Sequence, residues 1–569
     1  MKSTLILLFI LFFCLNCSAQ NLRLLISGSN PLETKTIDSL KYNTTHKNTK
    51  SISEEVIKLS QKLTEIGYIE NTTMEFNKKK DSVYVANFAL GKKIKTIYIY
   101  IGTNLVFKNS TDLSQKKDTI KLPYTEINSF LKQTVQKLEH NGFALAKLKL
   151  TNIKRVDTKI FADLKMESDK KRTLNSIIVN YTQNSRSYKF PNGHLTQINK
   201  KYKNRVFNQK LAEEIHTDFE KFGFINQVKF PEILFTEDTT KVYVYLERKK
   251  SNTFDGFIGF SNNENKKITL NGYLDMKLEN ILGCGEQLTI YWKSDGKDQK
   301  TFNTSIELPY LFKTPIGIKA QIQLFRQDST FQNTKTAIDL SYFTNYNTRF
   351  YLGYQTTESN DIQNTNKLQL SDYKSSFTTL NFEYTKNDNT SLLFARRSFA
   401  SLTIGLGKRN QNNQPEETRP NKQFYLDMVA MHNFYLNKKN SIIVKTQNYY
   451  LKSERYIINE LFRFGGINSI RGLEENSLQA NFLTTILTEY KYALSPSLYI
   501  HSITDLGLYK DKTNIKKNNQ KDTLLGLGLG MGLQTKNGLL KIAIANAKSN
   551  NNNLTFYNTM ANICYNVKF

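Results

Sequence analysis

From about residue 251 to its end the chain is written as strand after strand. KITLNGYLDMKLEN, EQLTIYWKSDG, FNTSIELPYLF, IKAQIQLFRQDS, RFYLGYQTT, TTLNFEYTKND and SIIVKTQNYYLKS follow one another, punctuated by Asn, Asp, Gly and Lys. Helical periodicity is missing, and a period of two takes its place. The last segment, NTMANICYNVKF, is the plainest case. Ala561, Ile563, Tyr565, Val567 and Phe569 share one face, while Asn562, Cys564, Asn566 and Lys568 share the other. An apolar face against a polar one, repeated over many strands, suits a wall with lipid outside and a lumen inside. At about 20 residues per strand plus turn, a region of about 320 residues holds about 16 strands. Tyrosine and phenylalanine, 31 and 36 in number, are enough to furnish aromatic girdles at both interfaces. A soluble sandwich, propeller or solenoid competes with this reading, but the alternation does not repeat as propeller blades do.

The rest of the chain narrows the class further. After residue 20 no segment is long and apolar enough for a membrane helix, so a membrane role has to fall to strands. Residues 1–19 read as an export signal. Lys2 supplies the charge, Leu5 to Phe13 the apolar run, and Cys17-Ser18-Ala19 the small residues before a cut ahead of Gln20. Lipidation at Cys17 fits poorly, because Asn16 stands where a small residue is wanted. Two cysteines then remain, Cys284 and Cys564, far apart, and they make no disulfide framework. The net charge of +29 comes from scattered lysines and matches no nucleic-acid motif; it reads as solvated faces, with no nucleic-acid partner.

Residues 20–250 differ in kind. Three amphipathic stretches, SISEEVIKLSQKLTEIGYIE, YTEINSFLKQTVQKLEHNGFALAKL and NQKLAEEIHTDFEKFGFINQV, each end in glycine followed by an aromatic. In the first, Val56, Leu59, Leu63 and Ile66 recur at helical spacing. Gly67, Gly142 and Gly223 are expected to end their helices through left-handed turns. A pair of strands follows the first two, DSVYVANF with KKIKTIYIYIG and KIFADLKMES with RTLNSIIVNY, and TKVYVYLER follows the third. The spacing divides the chain into α+β modules at 20–92, 93–171 and 172–250, then a barrel at 251–569.

The segment FRFGGINSIRGLEENSL, residues 462–478, resembles the inward-folded loop of the Omp85 superfamily of outer-membrane barrels, with Gly465, Gly466, Arg471 and Gly472 in the motif. Leu473 stands where the family usually has an aromatic. The resemblance implies that Arg471 braces the loop against acids on the next two strands, Glu489 in TTILTEYKY and Asp505 in YIHSITDLGLY. Strand parity places Asp505 on the less aliphatic, lumenal face of its strand. The ending at Tyr565, Val567 and Phe569 is similar to the signal by which such barrels are recognised for assembly. LENILGCGEQLTIYW and GLGLGMGLQTKNGLLKIAIANA are also similar to family segments, their glycines suiting a tight turn and close backbone contacts. The three modules resemble POTRA domains, and that number matches the translocation and assembly module barrel.

The expected fold is therefore tandem α+β modules followed by a transmembrane antiparallel barrel. The implied role is assembly, insertion or translocation of other proteins at the outer membrane, with the modules in the periplasm. The partners implied are unfolded outer-membrane or secreted clients and outer-membrane lipid, with a periplasmic or inner-membrane partner left open. A two-partner-secretion-type transporter and a non-catalytic envelope tether or channel are the alternatives. His46, His140, His194, His216, His432 and His501 form no zinc-ligand spacing, and no nucleophile elbow or phosphate loop is present. Neither enzyme chemistry nor a cofactor or metal is expected.

Overall fold

The computed structural model describes residues 21–80, 82–102, 118–167, 170–182, 189–262, 268–294, 299–363, 370–388, 396–411, 420–513, 521–536, 538–549 and 559–568. Residues 1–19, read as an export signal, the expected cut ahead of Gln20, and Phe569 lie outside the described residues. The chain forms two compact units, one running to Leu174 with Asn204–Ala212, the other comprising Asn175–Lys203 and the chain from Glu213 onward.

The first unit holds two four-stranded sheets. In one, Leu22–Gly28 pairs in parallel with Val83–Ala89. The helix Thr49–Glu65 crosses over between them. Asn48 caps it, accepting from the Ser51 amide at 2.8 Å. Ile52, Val56, Leu59 and Leu63 pack against Leu24, Ile26, Ala86 and Phe88. Gly67 ends this helix at φ 110°, and a Cβ there would stand 2.4 Å from the Ile94 carbonyl oxygen, so no larger residue fits. In the second sheet Thr96–Tyr100 pairs in parallel with Lys159–Glu167, and Gly142 ends the intervening helix Ile127–His140 at φ 99°.

The second unit opens with the third sheet, where Ser176–Tyr181 lies parallel to Thr240–Arg248. The module pattern is thus strand, helical crossover, hairpin, with the opening strand parallel to the last. KKIKTIYIYIG and RTLNSIIVNY therefore do not close the first and second sheets; each opens the next. Sequence order groups them with the strand before, but a parallel partner is reached only across a helix. Gly223 also departs from expectation. It has no left-handed φ, and its lack of a side chain instead admits the Glu279 carboxylate, 3.1 Å from where a Cβ would lie.

Sixteen antiparallel strands, from Thr253–Asn262 to Met560–Lys568, close into a barrel. Its faces follow the pleat. Ile338, Leu352, Leu406, Leu529 and Ile563 point outward and are exposed, while Asp339, Ser341, Thr485, Asn433 and Asp505 point inward and are buried. Such an apolar exterior is far larger than a soluble monomer carries, and it fits a lipid-facing band. In the final strand Ala561, Ile563 and Tyr565 face out, with Asn562, Cys564 and Asn566 on the other side.

His194, on the helix Asn192–Tyr202, joins the third sheet to the barrel. Its buried ring packs among Phe190, Phe222, Phe224, Tyr310 and Tyr346. It sits over Gly285 in the Leu282-Gly283-Cys284-Gly285 turn, where a Cβ would lie 2.0 Å from the ring. Burial, and then the charge of Arg349, push the imidazole down from 6.5 to about 3. The folded chain thus holds this ring neutral while the unfolded chain protonates it at about 6.5. Stability is full above that pH and falls as the pH drops towards 3.

Two predictions follow from this architecture. Melting temperature should decline as the pH is lowered from 7 to 4, and His194→Leu should flatten that decline. Leu506→Arg, on the outward face near mid-strand, should cost about 2–4 kcal/mol in urea unfolding from lipid vesicles.

Candidate functional site

The long connection between the strands Asn440–Lys452 and Phe482–Ala493 carries a small hairpin, Phe462–Phe464 paired with Leu478–Ala480. The two ends of the hairpin enclose the Gly465–Ser477 tip. Phe464, Ile470 and Ala480 pack with Leu483, Leu487, Leu524 and Ala547 of the barrel wall. Leu473 packs against the same cluster, so an aliphatic body stands where an aromatic was expected. Gly465, Gly466 and Gly472 have φ of 118°, 85° and 93°. At Gly472 the backbone lies so close to the wall that a Cβ would stand 2.4 Å from the Asn546 carbonyl carbon. Across from it, a Cβ on Gly526 would stand 2.6 Å from the Arg471 carbonyl oxygen. Glycine on both sides makes the approach possible.

Arg471 is brought together with both sequence-expected acids. Its backbone amide and Nε donate to Asp505 Oδ2 at 3.0 and 2.8 Å, and Nη2 donates to Oδ1 at 2.5 Å. Nη1 donates to Glu489 Oε1. Lys491 also reaches Glu489, at 3.0 Å. Asp505 is wholly buried and Arg471 nearly so, so the fork is a charge-assisted pair taken out of water. Tyr499, His501 and Ile503 share the inward face with Asp505, whereas Ile500 and Leu506 are exposed. His501 packs over Gly530 and fills lumen rather than joining the pair.

Sequence reasoning missed a second anchor. Glu460, in the short helical turn Ile458–Glu460 before the hairpin, pairs with Arg409 of the wall, and both side chains are almost fully buried. Gln423 Nε2 donates to Glu460 at 2.8 Å. Beside it, Asn459 Nδ2 donates to Ser359 Oγ at 2.7 Å and to the Ser371 carbonyl at 2.9 Å, while its own carbonyl accepts from Asn333 at 2.7 Å and Tyr373 at 3.2 Å. Asn459 and Glu460 are thus held from five successive strands of one wall. The polarity is the reverse of the first anchor: here the loop brings the acid and the wall the arginine. Further contacts tie the tip to the strands Gln287–Ser294 and Gln299–Leu308, through Lys293 to Glu475 at 2.5 Å and Asn476 to Gln299 at 3.3 Å. The loop is a strap across the lumen.

Of the other sequence-picked residues, Gly67 and Gly142 lie in the first unit, and Gly223 lies against Glu279. Tyr565 faces outward on the final strand, and Val567 pairs there with Gly538 and Phe254. Among the described residues no group of three or more His, Cys, Asp or Glu could hold a metal ion.

No protein-family model matches the chain, and no curated protein matches it in sequence. Among solved structures it is similar to BamA from Haemophilus ducreyi lacking POTRA domains 1–3, at 14% identity and a TM-score of 0.49, over 84% of this chain and 100% of that one. It is similar to CdiB from Acinetobacter baumannii at 14% identity and the same TM-score, over 84% and 90%. It is also similar to Haemophilus influenzae BamA POTRA3-5, at 12% identity and a TM-score of 0.27, over 41% and 97%. These neighbours are Omp85-superfamily barrels and a run of POTRA domains.

The buried fork sets an expectation. Asp505→Leu alone, which strands the Arg471 guanidinium, should cost about 3–5 kcal/mol in denaturant unfolding. The Arg471→Met/Asp505→Leu double variant should recover much of that loss, since Glu489 keeps Lys491. Additive losses would show that the two residues act independently.

Proposed function

We propose that this protein handles other proteins at the outer membrane, receiving unfolded clients on its periplasmic modules and passing them to the barrel for insertion or translocation. The observation that carries this reading is the join between the first and last barrel strands. Neighbouring strands elsewhere pair over eight residues or more. Among the described residues the first and last pair only Thr253 with Lys568 and Phe254 with Val567. The first strand therefore offers unpaired backbone groups along most of its length, and an unpaired edge is a template for another strand. Client segments would add there in extended form, so selection would rest on main-chain hydrogen bonds more than on side-chain identity.

Two features support the direction of traffic. The modules precede the barrel, whose first strand begins at Thr253, and their sheets end in edge strands, such as Lys147–Val156, to which an extended segment can add. The strap crosses the lumen and is tied to opposite walls, which speaks against an open pore. In this reading Arg471 is a positioning residue that holds the strap through Asp505 and Glu489. Arg471→Ala should lower client assembly while leaving a folded barrel, and a simple tether should be indifferent to it.

The test is to lock the join. In a chain with Cys284→Ser and Cys564→Ser, cysteines placed by Phe254→Cys and Val567→Cys face each other at neighbouring-strand distance. Oxidation should stop client insertion into vesicles, and a reductant should restore it. Insertion at an unchanged rate by the oxidised protein would sink the proposal. Quantitative proteomics of the outer membrane after depletion would then separate the two forms of the role, since insertion predicts loss of many barrels and translocation the loss of one or a few secreted proteins.

A further inference from the structure

Beneath the barrel wall, where the helix Asn192–Tyr202 meets the turn Tyr310–Thr314, lies a cavity of about 330 Å³ that the client-handling reading does not use. Lys200, Lys201 and Lys221 converge on it, against a single carboxylate, Asp218, with Tyr310 and Tyr342 as walls. Asp218 pairs with Lys201 at 2.7 Å and with Lys221 at 2.5 Å. One carboxylate cannot neutralise three ammonium groups, so the cavity keeps a net positive charge. The same carboxylate fixes two of the ammonium groups in place, so a bound anion would not have to order them.

Its position says which anion. Tyr342 pairs across strands with Ile316 on one side and Phe350 on the other, and all three are exposed on the outward face. They are exposed apolar residues of the wall next to the turn, so a bilayer around the barrel would bring its headgroups to the lysines. The adjoining turn adds an independent observation. Tyr310, Phe312 and Lys313 all have left-handed φ, 51°, 51° and 59°, a conformation costly for side chains of this size. Gln197 holds the turn by donating to the Lys313 carbonyl. The strained turn leaves Phe312 95% exposed, the most exposed large apolar side chain among the described residues. Strain spent on exposing a phenylalanine to water has no folding rationale; beside a bilayer it places an aromatic among acyl chains.

We propose that this cavity binds the phosphate of an anionic phospholipid from the leaflet on the module side, with Phe312 set among its acyl chains. The lipid would seat the third module against the membrane plane next to the barrel. The proposal rests on the barrel lying in a bilayer, and does not need the protein to handle clients.

The test uses the full chain purified in non-ionic detergent, incubated with phosphatidylglycerol or phosphatidylcholine, and read by native mass spectrometry. One phosphatidylglycerol should survive delipidating conditions, with phosphatidylcholine retained several-fold less. Lys200→Gln/Lys221→Gln should reduce phosphatidylglycerol retention, about fivefold for each lysine. Lys200→Gln alone, at an exposed position, should reduce it about fivefold with the heat-dependent gel shift of the folded barrel unchanged. Phe312→Ser should lower retention of both lipids. Equal retention of the two lipids, or retention unchanged in Lys200→Gln, would overturn the proposal. So would displacement by millimolar inorganic phosphate, which would mark a small-anion site. Because retention is measured without any client, a failed seam-locking experiment would leave this result standing, and the reverse also holds.

Discussion

A sheet that crosses lipid must satisfy every backbone donor and acceptor within itself, because the hydrocarbon offers none. The sixteen strands meet this demand by closing on one another, and fifteen of the sixteen joins do so with long ladders. The remaining join, between Thr253–Asn262 and Met560–Lys568, meets it over two residue pairs only among the described residues. The rule that makes a barrel stable is thus least satisfied at one defined place, and the cost of that place is offset by the rest of the wall. A barrel serving only as a passive pore would gain by completing the ladder. That this one does not is the observation on which the proposed activity at the join rests.

Closure also dictates the interior. With apolar residues turned to lipid, polar and charged residues are turned inward, where water is limited and each charge needs a partner. The lumen meets this need with ion pairs: Arg349 with Glu307, Arg409 with Glu460, and Arg471 with Asp505 and Glu489. The first lies within the wall. The other two each take one member from the strap, with opposite polarity. Withdrawing the strap would strand Arg409 on one wall and Asp505 on the other, while Glu489 would keep Lys491. The strap is therefore held by the wall's own need for neutralisation, and neither anchor can be released without exposing a buried charge.

Much of this was legible in the sequence, for reasons that can be named. The pleat has a period of two, so the apolar residues of ITDLGLY, once assigned to lipid, put Asp505 in the lumen. Glycine at 472 signals close approach whatever it approaches. The Arg409–Glu460 anchor was not legible. Arg409 sits in a strand among Lys408 and Asn410 and looks like a solvated charge, and Glu460 looks like any loop acid. Only the fold-back of the strap joins them. Gly223 carried the same glycine–aromatic signature as Gly67 and Gly142, yet it serves to admit Glu279, because identical local sequence meets a different neighbour at the barrel. KKIKTIYIYIG and RTLNSIIVNY fall in the modules that the bounds at 93 and 172 give them, but their pairing with the strand before does not hold, for a similar reason. Adjacency in sequence favours antiparallel neighbours, and parallel partners across a helix leave no local trace.

The strap and the weak join are not separate features. On the C-terminal side of the join, Arg471 lies on Gly526 and Gly472 on Asn546, and the strand Gly538–Lys548 that carries Asn546 pairs directly with the final strand. On the N-terminal side, Glu475 and Asn476 reach Lys293 and Gln299, on the third strand of the barrel and at the start of the fourth. The strap thus spans the join from inside, gripping the wall on both flanks with residues only a few positions apart. If the join widened, the distance between those flanks would grow, and the short segment from Arg471 to Asn476 could not follow without losing a grip. The buried fork on Asp505 is much the stronger of the two grips, since the Lys293–Glu475 pair is partly exposed. The weaker contact would therefore give first. Were the join to widen, the strap would stay with the C-terminal flank, and the first strand would be the one left to pair.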